Sequence, residues 1–403
     1  GIFLEGPTHA PMRVGTLITA LLGGALGWSA QPHFHVQQQR RREVAMALMA
    51  APITRESPAP PGPDPYKLVR DDIELIKTSI KRMLTANKGT GASLAQNEVL
   101  TMAAREFTAR QGKSFRPMIV LLVGRATNPD FVISKRHFKL AVIAEMIHTA
   151  SLIHADVLEE NADPSEEERG TLVHQEVALD VGNKVCILAG DFLLSKSAVE
   201  LSLLDDDDVT ELIARGLESI CEGGMQTSDV TAGMVEGNGL KAYLAAAAQN
   251  NADLVSNCCH CSAILSGHDV DSTVAQAAKD FGRDLATAQQ LVGEAEQAEL
   301  LIKAARTRQA KWPDAVSQHI APIMYAADHY EQLRPIVARN TRTSADVAAT
   351  VELLERSNAV SHTLQLAAEH AQSATEVLEL LPASAARDAL VVLCHRVLSS
   401  TPM

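Results

Sequence analysis

From Tyr66 onward, apolar residues recur at helical intervals and hardly ever alternate. Val69, Ile73, Ile76 and Ile80 step by four, three and four, the spacing that keeps one stripe of a helix buried. Leu122, Leu140, Ile143 and Ile147 carry the same pattern into later segments. No alternating run is long enough for a half-buried strand. Gly182-Asn183 and Gly223-Gly224 read as breaks between helices. Asp205 to Asp208 read as a solvated helix start, where acids complement the positive amino-terminal dipole. The pattern predicts an all-α domain of ten or more helices over residues 66–403. The glycine-rich stretch Gly233 to Gly239 follows no strand and has no phosphate-loop lysine in register, so it is expected to be a loop.

Upstream the pattern changes twice, which defines an N-terminal arm over residues 1–65. Residues 14–30, VGTLITALLGGALGWSA, form seventeen uncharged positions. As a helix they would extend about 25 Å, at the lower limit for crossing a bilayer. Gly23 and Gly27 stand in GxxxG spacing suited to close helix contact, and Arg40, Arg41 and Arg42 follow on one side, as on a face with positive bias. Membrane contact and a targeting or protein-packed helix both fit this stretch. Residues 51–65 hold prolines at 52, 58, 60, 61, 63 and 65, which makes an extended linker.

Composition narrows the functional classes. The chain has 403 residues, 46% apolar and only 3% aromatic, as in a helical protein with a core of Leu, Ala, Val and Ile. A formal charge of −13, without any basic patch interleaved with aromatics, argues against nucleic acid or an anionic membrane surface as the main partner. Three of the six cysteines, Cys258, Cys259 and Cys261, surround His260. On one helix these positions fan outward instead of converging, so buried free thiols are expected in preference to a zinc site.

The stretch Glu145–Gly170, EMIHTASLIHADVLEENADPSEEERG, runs an apolar helix into a cluster of acids and a terminal Arg-Gly. Other blocks share its order along the chain. They are Gly112-Lys113-Ser114-Phe115-Arg116-Pro117, Gly182-Asn183-Lys184 with Ala189-Gly190-Asp191-Phe192-Leu193-Leu194, Phe281-Gly282-Arg283 through Leu291-Val292, Ile320-Ala321-Pro322-Ile323, and Arg387-Asp388-Ala389-Leu390. Together they resemble the trans-prenyltransferases, closest to the long-chain polyprenyl diphosphate synthases that make quinone tails. The resemblance implies an isoprenoid synthase-type helical bundle, preceded here by an extended arm with an apolar helix.

In that family an allylic diphosphate ionises and isopentenyl diphosphate attacks the cation, with magnesium held between two opposed aspartate triplets. Magnesium prefers oxygen ligands in octahedral geometry, and neutralising the leaving pyrophosphate lowers the barrier. In this sequence the first triplet falls at Ala155, Asp156 and Glu159, the second at Gly293, Glu294 and Gln297. The family's Lys-Thr pair aligns with Asn250-Asn251, and its Arg-Arg-Gly with Glu168-Arg169-Gly170 beside Glu166 and Glu167. The lysine-bearing loop after the second motif is not recognisable between Ala298 and Gln318. Against the family pattern, Asp156, Glu159 and Glu294 read as vestigial metal-motif positions, and neither metal nor other cofactor is expected.

Lys113, Arg116, His137 and Arg169 match family positions that bind the diphosphate of isopentenyl diphosphate. The alternative is that the Lys113–Pro117 block only packs and caps its helix. Ala150 and Ser151 lie where the family lines its product tunnel, so a lipid or quinone tail in a cavity competes with plain helix packing. The resemblance, weighed against these departures, implies a non-catalytic subunit of a larger complex at the mitochondrial inner membrane. Its alternative is the regulatory partner of an active homologous synthase, and a working prenyltransferase comes third. Protein partners are expected in either of the first two.

Overall fold

The computed structural model describes residues 59–85, 114–128, 130, 132–155, 169–225, 233, 236–306, 312–313, 316–338 and 343–399, with backbone only for 85 and 169–182. The arm up to residue 58, with its apolar segment 14–30 and most of its proline linker, lies outside them. Residues 59–64 carry no regular structure. They pack on the last helix, where a Cβ at Gly62 would stand 2.8 Å from Cγ2 of Val392.

Helices follow one another as the periodicity predicts, and among the described residues there is no strand. They are α1 (Pro65–Thr85), α2 (Phe115–Thr127), α3 (Lys135–Ala155), α4 (Arg169–Ser202) and α5 (Asp207–Met225). Next come α6 (Gly239–Ala247), a π-turn (Ala248–Ala252), α7 (Asp253–Leu265) and α8 (Thr273–Ala305). The carboxy-terminal part holds α9 (Ala321–His329), α10 (Arg334–Val337), α11 (Ser344–Arg356), α12 (Ala359–Val377) and α13 (Ala385–Ser399).

The stripe read from the sequence is the buried face of α1, with Val69, Ile73, Ile76, Ile80 and Leu84 inside. Burial of each such side chain contributes roughly 1.5–3 kcal/mol. Arg125 joins α2 to this helix, donating to Asp72 at 2.7 Å and to the Leu68 carbonyl at 2.8 Å. Asp64 just before α1 accepts from Arg396 of α13 at 2.7 Å, so the first and last helices are held together.

At the centre lies α7, buried on nearly every side because α2, α3, α5 and α8 all pack against it. Its cysteines are engaged with different neighbours: Cys259 abuts Gly282 of α8, and Cys261 approaches the Val209 carbonyl of α5 at 3.8 Å. His260 donates to the Val270 carbonyl at 2.8 Å. Burial pushes the Cys258 thiol up to about 12 and raises Cys259 and Cys261 as well. Among the described residues, α3 alone is long and apolar enough to cross a membrane. Its apolar positions are covered by α2, α4 and α7, so it is a core helix of the bundle.

Two expected breaks are corrected. Gly182-Asn183 lies inside the 34-residue α4, and Gly223-Gly224 inside the last turn of α5. A glycine costs a helix about 1 kcal/mol relative to alanine, which packing offsets. Gly223 also has a packing reason, since a Cβ there would stand 2.9 Å from Asn250. The acidic run does start a helix: Asp206 accepts from the Val209 amide at 3.2 Å and from Arg136 at 2.7 Å.

Candidate functional site

The residues singled out in the sequence fall on or next to α2, α3, α4, the π-turn and α8. Asp156 and Glu159 follow the end of α3 and lie outside the described residues, as does Lys113. Arg169 begins α4, with only its backbone described. Arg116, His137, Ala150, Ser151 and Glu294 can be placed.

Arg116 stands in the first turn of α2, behind Ser114 in the left-handed conformation (φ 52°). Its Nη2 donates to Oδ1 of Asn251 at 3.2 Å, while its Nε is buried without a partner. Burial lowers its pKa to about 10, opposed by the charge of Glu145, so it stays cationic at neutral pH. Glu145, on α3, is itself buried. Burial raises its pKa against the opposing charges of Arg116 and Lys77 and a hydrogen bond from Ser114. His148, one turn further along α3, is pushed down to about 3 by burial and then by the Arg116 charge. It is therefore a neutral imidazole.

His137 is a core histidine, which corrects its expected place beside a diphosphate. It has no exposed surface. Its Nε2 lies 2.9 Å from the Ser262 carbonyl, which can only accept, so the proton sits there. Its Nδ1 then accepts from the Ser134 hydroxyl at 2.7 Å. The ring fits beside Gly124, eight residues beyond Arg116 and so about 12 Å along α2. Burial lowers its pKa. At the end of α3, Ala150 is fully buried and Ser151 half-buried, its hydroxyl donating to the His148 carbonyl at 2.8 Å. Just beyond, His154 donates to the Ile187 carbonyl at 3.1 Å and lies 3.4 Å from Asp191. Gly190 allows this approach, since any side chain there would overlap the His154 ring.

On α8, positions 293, 294 and 297 divide between two faces, as the 3.6-residue turn requires. A Cβ at Gly293 would meet nothing within 4 Å. Gln297 is turned to the following loop, accepting from the Ser317 amide at 3.1 Å. Glu294 points inward and is 5% exposed. Its Oε1 accepts from the Tyr243 hydroxyl at 2.5 Å and from Nε2 of Gln290 at 2.8 Å. Its Oε2 accepts from the Ala321 amide at 2.8 Å, at the start of α9. Burial raises its pKa against these three bonds, and burial followed by the Glu294 charge raises that of Tyr243. Both carboxylate oxygens are thus engaged, and Gly293 and Gln297 bring no carboxylate. Among the described residues no group of three or more His, Cys, Asp or Glu is placed to hold a metal ion. As placed, the three motif positions of α8 do not by themselves fit a divalent cation.

Asn251 closes the arrangement. It accepts from Arg116 and donates through Nδ2 to Oε1 of Gln290 at 3.3 Å. Tyr243, Gln290, Glu145 and His148 are neighbours of these residues that motif spacing did not single out. The signal for Tyr243 was a lone hydroxyl-bearing ring in the otherwise apolar GLKAYLAAA helix. For Glu145 and His148 it was two polar residues one turn apart on a buried helix.

Residues 97–354 match the family described as Polyprenyl synthetase. A prenyl transferase of Cyanophora paradoxa is 32% identical, over 82% of this chain and 96% of that one. The mitochondrial solanesyl-diphosphate synthase 1 of Oryza sativa is 31% identical, over 84% of this chain and 79% of its own. The polyprenyl synthase of Caulobacter crescentus, solved with calcium and isoprenyl diphosphate, superposes with a TM-score of 0.63 at 24% identity, over 83% and 96% of the two chains. These relatives are named as enzymes, and the matches cover 79–96% of their lengths. That overturns the expectation of a non-catalytic subunit, whether in a membrane complex or beside an active homologue. The calcium in the Caulobacter crescentus structure stands against the expectation that this chain takes neither metal nor other cofactor.

Proposed function

This chain belongs to the polyprenyl synthetase family, and from that premise we propose that it is a prenyltransferase that lengthens an allylic diphosphate with isopentenyl diphosphate. The observation that carries the reading is similarity to a named prenyl transferase and a named polyprenyl-type synthase over 82–84% of this chain, at 31–32% identity. The described residues add support on the diphosphate side. Arg116 is a guanidinium at neutral pH with an unpartnered donor, which suits an anionic oxygen. Neutral His148 beside it brings no competing charge. Buried Ala150 offers only a methyl group in the last turns of α3, in keeping with a long product.

A divalent cation, when bound, neutralises the departing diphosphate. Of the motif positions on α8, only 294 carries a carboxylate, and both of its oxygens are engaged. Asp156 and Glu159 are the remaining carboxylates of the motif and lie outside the described residues. Mitochondrial placement is supported by the name of the rice relative. Inner-membrane association is supported by the apolar run 14–30 and the arginines at 40–42.

The test is direct. The purified chain, with magnesium and farnesyl diphosphate, is given radiolabelled isopentenyl diphosphate, and products are resolved by length. Labelled polyprenyl diphosphate longer than the starter by several isoprene units is the expected result. Label incorporation no higher than in a protein-free control would overturn the reading.

A further inference from the structure

We propose that Glu294 is a positioning residue which, through Gln290 and Asn251, sets the direction of the Arg116 guanidinium for a bound diphosphate. The inference rests on the function proposed above and deepens it. Its basis is a continuous run of side chains across four elements of the bundle. Arg116 donates to Asn251 at 3.2 Å, Asn251 to Gln290 at 3.3 Å, and Gln290 to Glu294 at 2.8 Å. Tyr243 and the Ala321 amide hold the far end at 2.5 and 2.8 Å.

The chemistry of the two ends fixes everything between them. A guanidinium can only donate, and a carboxylate can only accept. Asn251 must therefore turn its oxygen to Arg116 and its nitrogen to Gln290. Gln290 must turn its oxygen to Asn251 and its nitrogen to Glu294. Either amide, flipped, would set donor against donor or acceptor against acceptor at both of its contacts. An acceptor-only side chain at 294 is thus what polarises the relay. A carboxylate serving as cation ligand would need a free oxygen lone pair aimed at the ion, whereas Glu294 has both oxygens occupied by donors from three elements. Its anchoring to Ala321 also ties the relay to α9. The start of α9 and the direction of Arg116 are thereby linked through one carboxylate.

Inorganic pyrophosphate is the probe, and its half-saturation is read from the rise in Tm of the full chain, alongside KM and kcat for isopentenyl diphosphate. Asn251→Leu cuts the relay next to Arg116. Its pyrophosphate half-saturation and KM are expected to rise about tenfold, the scale of one hydrogen bond to a charged group, with kcat changed less. Glu294→Gln, which does not touch Arg116, is expected to move both quantities in the same direction by a smaller factor. Its magnesium half-saturation, read in the same way without pyrophosphate, is expected to match that of wild type. Arg116→Ala is the reference for loss of the guanidinium. If Arg116→Ala weakens pyrophosphate binding while Asn251→Leu and Glu294→Gln bind as wild type does, the relay has no positioning role and the inference falls alone. If Arg116→Ala itself binds as wild type does, the diphosphate is not at Arg116, and the inference falls together with that part of the proposed function. A lost magnesium response in Glu294→Gln would make Glu294 a cation ligand and overturn the inference. The Tm of each unliganded variant shows whether it folds; a variant that does not is replaced by Gln290→Leu, which cuts the same relay between its two amides and carries the same expectations.

Discussion

Replacing Tyr243 by phenylalanine removes one atom from the interior and leaves the ring where it packs. The hydroxyl donates to Glu294 at 2.5 Å and receives a longer contact, 3.4 Å, from Gln290. No cavity larger than the oxygen is created, so the cost comes from the hydrogen bond. A bond to a charged acceptor contributes about 1.5–3 kcal/mol net. Glu294 keeps two donors after the change, from Gln290 and the Ala321 amide, which places the expectation toward the lower half of that range, about 2 kcal/mol. Residues 51–403 form one compact unit. For about 350 residues the unfolding entropy is roughly 0.7 kcal/mol/K, so 2 kcal/mol shifts Tm by about 3 °C. Calorimetry of wild type and Tyr243→Phe at neutral pH measures this, with urea midpoints at constant slope as the independent check. A variant as stable as wild type, or more stable, would show that the Tyr243–Glu294 contact adds nothing to folding, and the account of the buried carboxylate would be wrong.

Two further expectations follow from the same helices. Glu145 and Glu294 both have folded pKa values raised above 4.5 by burial. In the window from that value up to the folded pKa, the folded chain binds more protons than the unfolded one, so stability falls as pH rises through it and levels off above. Urea midpoints across this window should fall less steeply in Glu294→Gln than in wild type; equal slopes would remove Glu294 from the pH response. Gly293→Asp meets open space and replaces the poorer helix former, so stability should hold or rise by a few tenths of a kcal/mol. The same variant should show a larger magnesium-dependent rise in Tm than wild type, and an unchanged rise would mean that position 293 does not face a cation.

Much of the helical frame was legible because its signals are local. The stripe Val69–Ile73–Ile76–Ile80 became the buried face of α1, and the acids at 205–208 became a helix start with Asp206 at its head. Glycine pairs were misleading, since Gly182 and Gly223 sit within helices. At Gly223 the reason is non-local, a close approach of the π-turn that no neighbouring residue announces. The surroundings of the candidate site were legible only in part. Spacing singled out Glu294 and Arg116, and whether a carboxylate faces a cavity or the core depends on Tyr243 and Ala321, which lie 51 and 27 residues away. His137 was misplaced for the same reason: its partners Ser262 and Ser266 come from α7 and the turn after it. The reading as a non-catalytic subunit took missing aspartates as missing function. Similarity to relatives named as enzymes, over more than four fifths of this chain, corrects it.

The π-turn between α6 and α7 shows how one loosened turn can substitute for a whole rearrangement. On a straight α-helix, residues eight apart are about 80° out of line, so Tyr243 and Asn251 would look in different directions. A stretch that closes i→i+5 bonds takes more residues for each revolution, and the phase lag accumulated over Ala248–Ala252 rotates the second residue back toward the first. Tyr243 and Asn251 consequently meet the same glutamine, Gln290, from above and below. The helix behaves as a screw with one slack thread, and that slack lets a single strut of backbone present two aligned contacts to its neighbour.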